Sequence, residues 1–184
     1  MKMINMNAVQ AQEEGKAFKR LPVGAYNCMI MSVTDNPERE SLTVEVEIAD
    51  GEFRGYYTQS SRDNEPVRYG KMFVSYADDQ YNSVGRFKGF VTALEKDNRF
   101  KWDGVNEMAF VGKHIGVVFG EREYRGSDGA VHTSVNPRYP ISLDRLAKGD
   151  WSEPKKKTLS GNTQMPPVQE NNGFIPQNNE PLPF

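Results

Sequence analysis

With 184 residues the chain is long enough for one domain with a real core, and 23 basic against 25 acidic side chains give a net charge of −2. A near-balanced charge argues against a protein that wraps duplex DNA. No apolar run of about 18 residues is present to span a membrane, Met1-Lys2-Met3-Ile4-Asn5 lacks the apolar heart of a secretory signal, and the lone Cys28 has no intramolecular partner, so composition predicts a cytosolic protein.

Residues 1–20 are polar and mildly amphipathic and read as a flexible arm. The chain turns at Leu21-Pro22-Val23-Gly24, and residues 25–33 form the first predicted strand. Asp35-Asn36-Pro37-Glu38 has the composition of a turn. The strongest periodic signal follows over 42–49, where Leu42, Val44, Val46 and Ile48 alternate with Thr43, Glu45 and Glu47, as in a strand with one buried and one wet face. After Asp50-Gly51, residues 52–60, with Phe53, Tyr56 and Tyr57, read as the third strand. Residues 61–82 have no period and read as a long loop or an irregular hairpin.

Helical spacing begins at Ser83, the expected N-cap. Val84, Phe87, Val91 and Leu94 fall at i, i+3, i+7 and i+10 over 83–96, against Gly85 and Gly89, each unfavourable by about 1 kcal/mol. Beyond a loop around Trp102-Asp103-Gly104, residues 114–124 alternate through Ile115, Val117 and Phe119. Ser127-Asp128-Gly129 turns the chain into a fifth strand over 130–139, and residues 142–148 suggest a short closing helix. From 152 to 184 Pro, Asn, Gln, Lys and Glu dominate, too little apolar surface to offset ordering entropy, and the segment is expected to be disordered. The expected organisation is therefore an arm (1–20), a mainly β domain (21–151) and a tail (152–184). Five strands with one helix between the third and fourth is the element order of the OB-fold, a partly open barrel that binds single strands or oligosaccharides.

Three landmarks carry a family resemblance: Leu21-Pro22-Val23-Gly24-Ala25-Tyr26, the run Ile48-Ala49-Asp50-Gly51-Glu52-Phe53-Arg54-Gly55, and Phe110-Val111-Gly112-Lys113. Together they resemble a tailed-phage family encoded in replication and recombination modules, several members of which look like single-stranded-DNA-binding proteins. The terminal Pro181-Leu182-Pro183-Phe184 is similar to the tip with which bacterial single-stranded-DNA-binding proteins recruit replication and repair enzymes. It departs from that tip in being acid-poor, with Asn178 and Asn179 where acidic residues are usual. The resemblance implies binding to single-stranded DNA in a host cell's cytoplasm, with Glu180, Pro181, Leu182, Pro183 and Phe184 contacting replication or recombination proteins.

Catalysis finds little material in the residues. His114 and His132 lie in no metal-binding spacing, and neither a nucleophile elbow nor a phosphate-cradling loop occurs. Glu45 and Glu47 share a strand face but read as its solvated side. Asp78 and Asp79 could hold a metal for a nuclease, and a polar loop explains them as well. The expectation is no enzyme, no metal and no cofactor, with self-association left open.

Binding has better material. Arg54, Tyr56, Tyr57, Arg62, Arg68, Tyr69, Lys71 and Tyr76 interleave cations with rings, the mixture that single strands need for stacking and phosphate tracking. Phe73, in the same stretch, is expected in the core. A second patch comprises Arg122, Tyr124 and Arg125 on the last hairpin, followed by Arg138 and Tyr139. These residues predict a single-stranded-DNA-binding protein without sequence preference. The alternative is an adaptor that holds replication or recombination enzymes without touching DNA, which the net acidity favours.

Overall fold

The computed structural model describes residues 19–61, 65–78 and 80–159. Five strands, β1 (Gly24–Asn36), β2 (Ser41–Ile48), β3 (Gly70–Ser75), β4 (His114–Arg125) and β5 (Val131–Ile141), form one antiparallel sheet in the order β3-β2-β1-β4-β5. The helices are α1 (Tyr56–Ser60), α2 (Ser83–Asn98) and α3 (Leu143–Ala147), with 3-10 turns at Pro37–Arg39 and Glu107–Phe110.

On β2 the alternation holds: Leu42, Val44, Val46 and Ile48 are buried and face Ile30, Val33 and Cys28 of β1 and Met72 and Val74 of β3 in one apolar core. An irregularity in the β1–β2 register falls between Ile30 and Ser32, a device that bends a strand and deepens its twist. Helix α2 lays Phe90, Val91 and Leu94 on this core, where Phe90 meets Phe110 edge to face with ring centroids 5.5 Å apart. The expected stripe is shifted, because Val84 in the first turn is exposed while Phe90 is buried. Ser83 does not cap. It is the buried first residue of α2, and Asn82, in the left-handed region at φ 55°, occupies the cap position.

The largest departure lies between residues 52 and 75. Residues 52–60 are not a strand. Gly51 and Gly55, both at positive φ, turn the chain sharply into the short α1. Glu47, expected on a solvated face, is buried. Its carboxylate accepts hydrogen bonds from Tyr57 N (3.1 Å), Thr58 N (2.8 Å), Thr58 Oγ1 (2.8 Å) and its neighbour Ile48 N (2.9 Å). A helix start leaves such backbone donors open, and an anion satisfies them. The third strand is β3, inside the stretch expected to be a long loop or an irregular hairpin. Its inward residues are Gly70, Met72 and Val74 and its outward ones Lys71 and Phe73.

The sheet is curled but not closed into a barrel. Its two edges, β3 and β5, bring Cα atoms within 8 Å of each other without a hydrogen-bonded ladder. Pro137 and Pro140 in β5 have no N–H to offer at that edge.

The described chain also runs past residue 151. On β4, Ile115 to Gly120 are buried without alternation, because later residues cover the outer face. A Cβ at Gly120 would fall 2.3 Å from Pro154 Cγ, and one at Gly116 would fall 3.4 Å from Leu146 Cβ. Lys157 then bridges in parallel to β4 at Arg122, donating N–H to Glu121 O (3.0 Å) and accepting from Glu123 N (2.8 Å). Residues 152–159, expected to belong to the tail, thus lie along the sheet. The predicted arm up to residue 18 and the tail from 160 lie outside the described residues.

Candidate nucleic-acid interface

A groove of about 620 Å³ opens where the edges β3 and β5 diverge. Arg68, Lys71, Arg122, Arg138 and Lys157 stand around it, with Tyr57, Tyr69 and Phe73, and no carboxylate lines it. Part of each patch read from sequence, Tyr57, Arg68, Tyr69 and Lys71 of the first and Arg122 and Arg138 of the second, meets at this site because β3 and β5 are the two ends of one curled sheet.

Strand geometry sets the outer rim. Lys71 and Phe73 point outward from β3, opposite Glu45 and Thr43 of β2. Lys71 is held by Glu45 (2.9 Å), which also accepts a hydrogen bond from Ser32 Oγ (2.7 Å). These two bonds, Lys71's first, hold the Glu45 carboxyl below its ordinary value. Phe73, expected in the core, is 66% exposed. Its neighbours Met72 and Val74 take the inward positions, and the pleat leaves Phe73 outside. The other four cations are uncompensated: among the described residues none of Arg68, Arg122, Arg138 and Lys157 is in an ion pair. Lys156, beside Lys157, pairs with Glu123 (3.0 Å) and Glu121 (3.8 Å). The hairpin's two carboxylates are thus engaged by Lys156, and neither lines the groove.

The remaining predicted residues divide. Tyr57 lines the floor, but its hydroxyl is fully buried without a hydrogen-bond partner among the described residues, and burial raises its pKa. Tyr56 packs edge to face on Phe53 and Tyr57, at 6.3 and 5.3 Å, and belongs to the shell around the core. Tyr76 packs on Phe87 at 5.8 Å and donates its hydroxyl to Asp35 (2.7 Å), a bond that raises its pKa. Arg54 is exposed in the turn before α1 and does not line the groove.

Tyr124 projects on the hairpin with its ring tilted against that of His132, centroids 5.6 Å apart, also outside the groove. His132 pairs with Asp128 at 2.9 Å, and Arg125 donates to Gly129 O (3.0 Å), closing the same turn. Tyr139 lies next to Arg138 in sequence but lines a different cleft, its hydroxyl bonded to Ser152 O (2.6 Å). His114 sits at the start of β4, its Nδ1 3.3 Å from Asn27 Oδ1. Arg62, Asp79 and Glu180 to Phe184 lie outside the described residues. Among those described, no group of three or more His, Cys, Asp or Glu side chains could hold a metal ion.

Sequence reasoning missed three contributors: Phe73 as an exposed ring, Asn136, and Lys157. The Lys155-Lys156-Lys157 run was the available signal for the last, but its polar surroundings assigned it to the tail. No family model matches the chain, and no curated protein does.

Proposed function

We propose that the chain binds single-stranded nucleic acid, single-stranded DNA in the first instance, in the groove between β3 and β5. The observation that carries this reading is the lining itself: five cations, no carboxylate, and the exposed ring of Phe73 beside Tyr69. Bases stack on rings at about 1–3 kcal/mol each while cations follow the phosphates, and neither interaction reads sequence. Duplex is disfavoured, because its bases are already stacked and a net charge of −2 gives little general attraction. The strand order β3-β2-β1-β4-β5, with α2 between β3 and β4, supports an OB-like reading of the curled sheet. In that fold the face of strands two and three and the loop between strands four and five make the binding site.

The wider role follows from the sequence resemblance. The protein coats exposed strands during phage replication or recombination in the host cytoplasm, without catalysis, and recruits enzymes through Glu180 to Phe184. Among the described residues no helix is long and apolar enough to cross a membrane. A fluorescence titration of the purified chain with oligo-dT, the matching RNA and duplex at several salt concentrations tests the reading. Tight oligo-dT binding that weakens linearly in log salt, with weak duplex binding, is expected. Equal affinity for single strand and duplex overturns it.

A further inference from the structure

A second, larger cleft of about 890 Å³ lies between α2, the end of β5 and α3. Its floor holds the buried Phe90 and Ile141. One wall is the α2 face that carries Gly85, Gly89 and Ala93, where nothing lies within 4 Å of a Cβ built on Gly89. Arg86, Lys88, Lys96 and Arg145 ring it, and no carboxylate lines it. Lys96 is paired with Asp144, and Arg145 with Asp150 at 2.9 Å. Arg86 and Lys88 have no ion pair among the described residues.

The position of this cleft matters more than its composition. β5 presents Asn136, Pro137 and Arg138 to the first groove and Tyr139, Pro140 and Ile141 to the second. Across the gap, β3 faces the first stretch and α2, which follows β3 in the chain and packs against it, faces the next. The two clefts therefore take consecutive stretches of β5, divided at the Arg138–Tyr139 peptide.

We infer that the bound single strand does not end in the β3–β5 groove but continues along β5 into the α2 cleft, with Arg86 and Lys88 following its phosphates. This inference rests on the proposed binding function and extends its footprint. The open wall at Gly89 leaves room for bases over an apolar floor, and the two free cations supply charge of the sign that a phosphate backbone requires.

Two oligo-dT lengths test it, about 5 and about 15 nucleotides, near the two ends of the site sizes seen for a single OB-type barrel. The full chain should bind the longer one more tightly than added length alone explains. Arg86→Ala with Lys88→Ala should weaken the longer oligonucleotide about tenfold and lower its salt slope by about 1.4, two phosphate contacts at about 0.7 each for a single strand. The shorter one should be unaffected. Gly89→Trp, which fills the cleft from a position with open space, should reproduce the loss by obstruction.

Unchanged affinity of both variants for the longer strand overturns the inference and leaves the cleft to another occupant. An equal loss at both lengths also overturns it, since the cations would then serve the first groove. Failure of the unmodified chain to bind either length overturns the underlying function instead.

Discussion

Phe73 and Tyr57 border the same groove, yet their surroundings assign them opposite roles. Phe73 stands outward opposite Thr43, and little of it is packed. Phe73→Ala should therefore leave the melting temperature almost unchanged while weakening oligo-dT binding by about 1–3 kcal/mol, roughly five- to 150-fold. A sharply lowered melting temperature with affinity spared in the folded fraction would return Phe73 to the core. Tyr57 packs on Tyr56, and a Cβ at Gly70 would lie 2.4 Å from its hydroxyl oxygen. Tyr57→Ala should lower stability, whereas Tyr57→Phe, which removes only a buried hydroxyl with no partner among the described residues, should preserve or raise it. Thermal melts of both variants check this. Lys71 and Glu45 make the pH-sensitive pair. The Glu45 carboxyl is held below its ordinary 4.5 by Lys71 first and Ser32 second. A depressed carboxyl contributes stability that is complete above its ordinary value and disappears as pH falls through the lowered one. The stability difference between the unmodified chain and Lys71→Met, small because the pair is partly exposed, should be present at neutral pH and close in acid. A difference that persists in acid would show that Lys71 acts by packing alone.

At the scale of elements, α1 depends on one buried side chain. Glu47 alone satisfies Tyr57 N, Thr58 N and Thr58 Oγ1, so Glu47→Ala should cost about 2–4 kcal/mol in chemical denaturation, more than an ordinary cap. A loss under about 1 kcal/mol would mean that α1 is held by its rings rather than its start. The same region marks where the sequence was hardest to read. β2 and α2 were legible because each buries one face over enough residues for its period to emerge, and β4 and β5 because the Ser127-Asp128-Gly129 turn separates two runs of strand composition. Helix α1 has five residues, too few for a helical repeat, and its three-bond anchor lies ten residues upstream at a position that looked solvated. β3 hid for a different reason: Gly70 is inward and Phe73 outward, the reverse of what hydropathy suggests. Arg68, Lys71, Arg122 and Arg138 were legible from their mixture with rings, but Lys157 was not, nor was the meeting of the five. It follows from the curl that brings the ends of a five-stranded sheet together, a property no local window contains. Composition likewise read residues 152–184 as one tail, while the open edge of β4 beyond its last pairing with β1, Gly24 with Phe119, takes up Lys157.

For the whole molecule, that edge divides the C-terminal region into two parts with different duties. Residues 152–159 cover β4 through Pro154 and place Lys157 at the groove. Residues 160–184 carry Glu170 and Glu180 as their only charged side chains, too little charge to compete seriously with a nucleic-acid backbone for five cations. A chain ending at Leu159 should therefore keep its melting temperature and bind oligo-dT within about threefold of the full chain, under about 1 kcal/mol. A chain ending at Trp151 should lose both, because β4 loses the cover of Gly120 and the Lys157 pairing, and the groove loses one of its cations. Its salt slope should fall by about 0.7, one single-strand phosphate contact. Lys157→Ala separates the two effects, since it removes the charge and keeps the backbone bonds to Glu121 and Glu123: it should lower the slope by the same amount and leave the melt unchanged. Equal stability and equal salt slope for the chains ending at Leu159 and Trp151 would show that the segment only rests on the sheet and takes no part in the groove.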